Sequence, residues 1–89
     1  MVEGESNEVV GNVNYAHIGG YHNIVKQDMA LVFGKWNKFY ESNETTRLVT
    51  IGNGTSSSSR SNIVEVTASD VTIDGNLNVK NNDGYLYNN

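Results

Sequence analysis

The chain has 89 residues, a formal net charge of −4, no cysteine and no proline, which is enough for one domain with a small core. The lack of cysteine excludes a disulfide framework and a thiolate metal site. The negative charge argues against nucleic-acid binding, which needs clustered Lys and Arg, and no apolar run is long enough to be a membrane span.

The first half of the chain repeats a four-residue motif, Gly-x-x-Asn. Glycine permits the positive φ of a tight corner, and asparagine tolerates the left-handed region and bonds to nearby backbone. The glycines are separated by 7, 9 and 14 residues, which indicates a unit of about seven residues that doubles to about fourteen. The predicted corners are Gly4 with Asn7, Gly11 with Asn14, Gly20 with Asn23, Gly34 with Asn37, and a degenerate copy at Gly52.

Residues 1–60 are therefore predicted to form short turns of a parallel β-roll or β-helix. Two short strands and two corners fit into about fourteen residues. Each such turn has too little core to stand alone and buries its apolar side only against its neighbours. Both alternating sets are apolar in residues 30–33, as in a strand that is buried on both faces. One face can fill the roll, and the simplest cover for the other is a second copy of the chain.

Residues 27–40 also permit a second interpretation. Apolar side chains recur there with helical spacing, so an amphipathic helix with a weak point at Gly34 stays open. The in-phase match of Gly34 and Asn37 to the earlier corners favours the roll. The helical stripe consists of Val25, Met29, Val32, Trp36, Phe39 and Tyr40.

Residues 38–47 interrupt the repeat and are predicted to form an inserted loop. Loops that project from one corner of an array are frequent binding surfaces. Phe39 and Tyr40 are accordingly candidates for ligand contact, and packing on the flank of the roll is the alternative. Residues 53–61 contain Gly-Asn-Gly followed by serines and are predicted to form a flexible turn.

Residues 62–80 are predicted to form β-strands, followed by a polar tail at 81–89 that is frayed or docked only by Tyr85 and Tyr87. Residues 71–79 alternate between apolar and polar side chains. The Asp74-Gly75 dipeptide would normally mark a two-residue hairpin. Pairing across it would mix apolar and polar side chains on both faces, so the pattern favours a strand that continues or bends at Gly75.

These motifs resemble two groups of fibrous proteins. The Gly-x-x-Asn units are similar to the head repeats of trimeric autotransporter adhesins, which form left-handed parallel β-rolls in homotrimers. Closer still are tail-fibre and appendage proteins of phages and prophages of Gram-positive bacteria, which resemble stretches 16–23, 32–37, 49–56 and 60–62, with 71–77 after the serines. The resemblance implies a homotrimeric, intertwined fibre segment in a virion, outside the cell and continued by adjoining segments of a longer chain.

The sequence gives little indication of site chemistry, and no catalytic residue or cofactor is predicted. Glu65, Asp70 and Asp74 could form a glycan-cleaving pair, which needs a carboxylate separation of roughly 5–9 Å, although solvated surface carboxylates are the ordinary explanation. A threefold axis would triple an inward-facing His17 or His22 into a metal or anion site. A packing or surface role is the more usual one for such a histidine.

Two functions follow as hypotheses. The first is a structural and adhesive segment of a homotrimeric fibre that supports or forms attachment to a bacterial surface glycan. The second is a glycan-depolymerising module that uses the carboxylates. A small α+β binding domain built on the helix at residues 27–40 is the third and weakest alternative.

Overall fold

A computed structural model describes residues 1–80, which contain strands and no helix. The all-β prediction is confirmed, and no helix that could span a membrane occurs in this part of the chain. The strands are β1 (Glu8–Val9), β2 (His17–Ile18), β3 (Ile24–Val25), β4 (Leu31–Lys35), β5 (Val49–Asn53), β6 (Asn62–Val66) and β7 (Val71–Ile73).

The amphipathic helix considered for residues 27–40 is wrong. Its centre is β4, in which Gly34 has φ +94°, and Trp36 directly after that strand has φ +45°. A right-handed helix needs negative φ at every residue. The helical stripe combined one residue from each of two strands, Val25 of β3 and Val32 of β4, with residues of the turn, corner and loop around β4.

The strands form two sheets of mixed direction. β1 pairs with β3, and the other five strands follow the order β2-β4-β5-β6-β7. The pairs β1–β3, β2–β4 and β4–β5 are parallel, whereas β5–β6 and β6–β7 are antiparallel. The parallel arrangement expected for the first half therefore gives way to antiparallel pairing after β5.

Parallel pairing stacks the first half of the chain into levels. We call each of these stacked segments a level. Paired residues are 16 apart in sequence between β1 and β3, 14 apart between β2 and β4, and 18 apart between β4 and β5. One level thus takes about as many residues as the doubled unit predicted from sequence. Representative pairs are Glu8 with Ile24, His17 with Leu31, and Leu31 with Val49.

A column of glycines runs through the levels, formed by Gly4, Gly20, Gly34 and Gly52. The first three have φ between +91° and +96°. A Cβ on any of these three would lie 2.0–2.2 Å from the carbonyl oxygen of the next glycine in the column. Gly11 also has a positive φ, +88°, yet a Cβ there would meet nothing within 4 Å, so it lies apart from the column.

Beside the glycines runs a second column, which we call the asparagine column: Asn7, Asn23, Asn37 and Asn62. The backbone N–H of Asn23 donates to Oδ1 of Asn7 at 2.9 Å, and that of Asn37 donates to Oδ1 of Asn23 at 3.1 Å. Asn23, Asn37 and Asn62 are buried. Side-chain amides thus supply the hydrogen bonds that regular strands cannot make at a corner.

Asn62 occupies the fourth level of this column. Its Oδ1 accepts the Lys38 N–H at 2.9 Å, just as Oδ1 of Asn37 accepts the Ile24 N–H at 2.7 Å. The serine-rich residues 53–61 are therefore an inserted segment between Gly52 and Asn62, the glycine and asparagine of the last level. Asn14 lies outside the column, and its backbone N–H donates to the Asp28 carboxylate at 2.7 Å.

The core between the levels is small. Its buried apolar residues are Ile18, Val25, Ala30 and Val32. The inserted loop at 38–47 closes over one side and is held by buried Gln27, whose Nε2 donates to the carbonyl oxygens of Glu41, Glu44 and Thr45.

One antiparallel turn and one bend complete the described chain. The β6–β7 turn is closed by a hydrogen bond from the Thr67 N–H to the Asp70 carbonyl oxygen at 2.8 Å. Residues 74 and 75 form a bend and no hairpin, and no strand follows among residues 76–80. The predicted tail at 81–89, with Tyr85 and Tyr87, lies outside the described residues.

Candidate functional site

The most distinctive surface is one face of the sheet formed by β4, β5, β6 and β7. Residues paired across the strands lie on the same face, and here the pairing assembles two rows of apolar side chains. Phe33, Ile51 and Ile73 in one row are 37–39% exposed, and Val71 in the other is 68% exposed. This outer apolar face consists of Leu31, Val49, Val66 and Val71 in one row, and Phe33, Ile51, Val64 and Ile73 in the other.

The opposite face of the same strands is covered at β4 and β5, where Val32 and Thr50 are buried, whereas Thr72 on β7 is exposed. Thr50, Glu65 and Thr72 form a row across β5, β6 and β7 there. Tyr40 and Arg47 from the inserted loop reach Glu65 on this side. Small antiparallel sheets usually cover the apolar face and leave the polar face to water. At β5 of this chain the polar Thr50 is 2% exposed and the apolar Ile51 is 39% exposed, so the apolar side is the more open one there.

Glu65 is fixed by three donors on the covered side. Its carboxylate accepts hydrogen bonds from Tyr40 Oη and Asn62 Nδ2, both at 2.8 Å, and from Arg47 Nε at 3.2 Å. Burial by itself raises the pKa of Glu65, but these hydrogen bonds and the Arg47 charge outweigh it, so the pKa lies below its usual value. Burial, followed by the hydrogen bond to Glu65, raises the pKa of Tyr40.

The two candidate contact residues of the loop are half-buried and engaged within the chain. The Tyr40 ring is covered by the Arg47 guanidinium, whose Cζ lies 3.6 Å from the ring centroid. The Phe39 ring lies near Lys26 Nζ at 4.8 Å and near Arg60 Cζ at 5.4 Å. Both rings thus pack on the flank by cation–π contacts.

The two histidines lie in different environments. His17 borders the outer apolar face, with its ring centroid 5.5 Å from that of Phe33 and its Nε2 3.5 Å from a Glu3 carboxylate oxygen. His22 lies at a corner with φ +55° and stacks on Trp36 at 4.1 Å between ring centroids. Among residues 1–80, no group of three or more potential metal-ligating side chains comes together.

The three carboxylates considered for catalysis have separate roles. Asp70 belongs to the β6–β7 turn, where its N–H donates to Thr67 Oγ1 at 3.1 Å. Asp74 and Glu65 both line a surface groove of about 450 Å³, together with Lys38 and Arg60. A general acid needs a raised pKa, whereas Glu65 has a lowered one and is held in an ion pair.

Sequence reasoning missed Asn62 and most of the outer apolar face. A signal for Asn62 was present: Asn-Ile-Val occurs at residues 23–25 and again at 62–64. The outer face could not be assembled from sequence because it depends on the antiparallel register of β5, β6 and β7. Comparisons with protein-family models, with curated proteins and with solved structures find no match to this chain.

Proposed function

We propose that this chain is a structural segment of a homotrimeric fibre, and that the outer apolar face is where its copies meet. The observation that carries the proposal is the two rows of apolar side chains, of which Phe33, Ile51, Val71 and Ile73 are 37–68% exposed. Burying one Val, Leu, Ile or Phe side chain is worth about 1.5–3 kcal/mol. Every copy has the same face to cover, so a second copy is its natural partner.

The stacked parallel levels support a β-roll as the architecture of residues 1–53. Pairing offsets of 14–18 residues leave room for two strand segments and two corners in each level. The glycine and asparagine columns repeat the same corner from level to level. Repeat architectures of this kind expose extended surfaces and bury little inside each unit.

The resemblance of the corner motifs to phage tail-fibre repeats supports a place in a virion appendage, where such a segment holds or forms the part that contacts a bacterial surface glycan. We assign the chain a structural and adhesive role and no catalytic one. The depolymerase hypothesis gains no support from Glu65, because a carboxylate engaged by Tyr40, Asn62 and Arg47 is poorly placed to give or take a proton.

Sedimentation equilibrium at micromolar concentration tests the assembly. We expect the wild-type chain to have three times its 9.8 kDa mass. Introducing charge with Phe33→Glu and Ile51→Glu together should give a monomer that retains its β-type circular dichroism. Tyr15→Glu is the matched control, because Tyr15 is 87% exposed and lies outside the face.

A monomeric wild-type chain at about 100 μM would overturn the proposal. So would a doubly substituted variant that stays trimeric, because the association would then depend on some other surface. If the Tyr15→Glu control also dissociates the trimer, loss of association is not specific to substitutions in the outer apolar face, and the proposal fails in the same way.

A further inference from the structure

The first and last levels of the stack differ in how their edges are closed. At the last level, β6 runs antiparallel to β5, and Asn62 completes the asparagine column. At the first level, no strand lies beyond residues 2–9 within the described part of the chain. The parallel stack therefore ends against antiparallel strands at its last level, whereas its first level has no neighbouring strand from residues 1–80 on its outer side.

The open edge carries backbone groups whose equivalents are bonded at every later level. The Ile18 N–H donates to the Met1 carbonyl oxygen at 2.8 Å, and the Trp36 N–H donates to the Tyr21 carbonyl oxygen at 3.0 Å. The corresponding donors of the first level make no such bond to residues 1–80. These donors are the backbone N–H groups of Val2, Ser6 and Asn7.

The carbonyl acceptors also repeat from level to level, and within the described residues the first level again lacks the donors that the later levels have. The Gly34 carbonyl oxygen accepts the Tyr21 N–H at 2.9 Å and the Asn23 Nδ2 at 2.9 Å. The Gly20 carbonyl oxygen accepts the Glu5 N–H at 3.0 Å and the Asn7 Nδ2 at 2.9 Å. The Gly4 carbonyl oxygen is the next in this series.

The side chains at this edge are exposed in the same pattern. Val2 is 54% exposed, whereas its partner one level on, Ile18, is 0% exposed. Val9 is 37% exposed, whereas its partner Val25 is 2% exposed. A further level stacked on this edge would cover Val2 and Val9, as the neighbouring levels cover Ile18 and Val25.

We propose that the open edge is a docking edge for one further level: a polypeptide segment with a Gly-x-x-Asn corner flanked by short apolar strands, aligned parallel to residues 2–9. Its asparagine would donate Nδ2 to the Gly4 carbonyl oxygen and accept the Asn7 N–H on Oδ1. Its glycine would face Gly4, where no Cβ fits. Because the other end is closed by β6, stacking of this kind extends in one direction only.

The test joins such a segment to the intact chain. A copy of residues 17–30 placed directly before Met1 puts the copied Gly20 fourteen residues ahead of Gly4, the spacing found between Gly20 and Gly34. The matched control carries Gly20→Val in the copied segment. At its own position a Cβ on Gly20 would lie 2.0 Å from the Gly34 carbonyl oxygen, so the valine should block the equivalent contact with Gly4.

Amide hydrogen exchange read by NMR reports on the edge residue by residue. Docking should slow exchange at Val2, Ser6 and Asn7 by about tenfold or more, and it should raise Tm by about 5 °C. The valine-containing control should leave both unchanged. Unchanged exchange in the extended chain, or equal protection in the control, would overturn the proposal. The docked segment belongs to the same chain, so slowed exchange at the open edge does not require a trimer. Sedimentation of the same samples reports separately whether the outer apolar face forms one.

Discussion

Replacing Asn37 by alanine tests whether the asparagine column holds the levels together. Asn37 is 2% exposed, and its side chain makes two well-formed hydrogen bonds to the backbone of Ile24. Oδ1 accepts the Ile24 N–H at 2.7 Å, and Nδ2 donates to the Ile24 carbonyl oxygen at 2.9 Å. Alanine can do neither.

The expected loss follows from those two backbone groups. A buried donor or acceptor left without its partner costs about 1–3 kcal/mol, so freeing both should lower the free energy of unfolding of Asn37→Ala by about 2–6 kcal/mol. A chain of this length is stable by roughly 4–13 kcal/mol in all. The substitution should therefore remove a large fraction of the stability.

Urea denaturation followed by circular dichroism measures this loss. All variants are compared at one protein concentration, because association would make the midpoint depend on it. Asn43→Ala is the matched control, since Asn43 is exposed in the inserted loop and should change stability by less than about 0.5 kcal/mol. Asn7→Ala should fall between the two, because Asn7 is half-buried at the first level, where water can reach the freed groups. Equal stability of the Asn37 and Asn43 variants would refute the structural role of the column.

Two further predictions concern backbone space and pH. Gly34→Ala should destabilise the fold by at least about 1 kcal/mol more than Gly11→Ala in the same urea assay. Both glycines have φ near +90°, so alanine costs about 1–3 kcal/mol of backbone strain at either position. Only at Gly34 would the added Cβ also meet a carbonyl oxygen. A smaller or reversed difference would contradict the close packing of the glycine column. The lowered pKa of Glu65 stabilises the fold above the carboxyl pKa of the unfolded chain, and this stabilisation should be lost as the pH falls below that value through the lower folded-state pKa. Glu65→Gln should flatten that slope in thermal unfolding, and an unchanged slope would mean that other carboxylates cause it.

The corners were predictable from sequence because their chemistry is local. Gly20 and Gly34 need a positive φ, and Asn23 and Asn37 follow each at the same distance. Gly11 shows the limit of that reasoning: it has the motif and the positive φ, but no neighbour stacks on it. Whether a corner belongs to a column depends on contacts with other levels, which a short motif does not encode.

The antiparallel part was not predictable in the same way. The sequence pattern favoured a bend over a hairpin at Asp74-Gly75, and the structure has a bend there, but the turn at Thr67–Asp70 was not predicted. The turn between β6 and β7 is closed by a local hydrogen bond, whereas the register of β6 on β5 depends on tertiary contacts. The outer apolar face follows from that register, so the candidate interface was visible in sequence only at residues 30–33.

The two columns and the outer apolar face together explain why association should make this chain more stable. The buried apolar core of residues 1–80 is limited to Ile18, Val25, Ala30 and Val32, which is little for a domain of this size. The asparagine column fixes the backbone, but each of its hydrogen bonds contributes only about 1 kcal/mol net. The largest apolar surface still open to burial is the outer face, from Phe33 on β4 to Ile73 on β7. Apolar burial is the dominant favourable contribution to folding. The proposed assembly therefore supplies what the fold of a single chain lacks, and loss of the trimer should lower stability as well as mass.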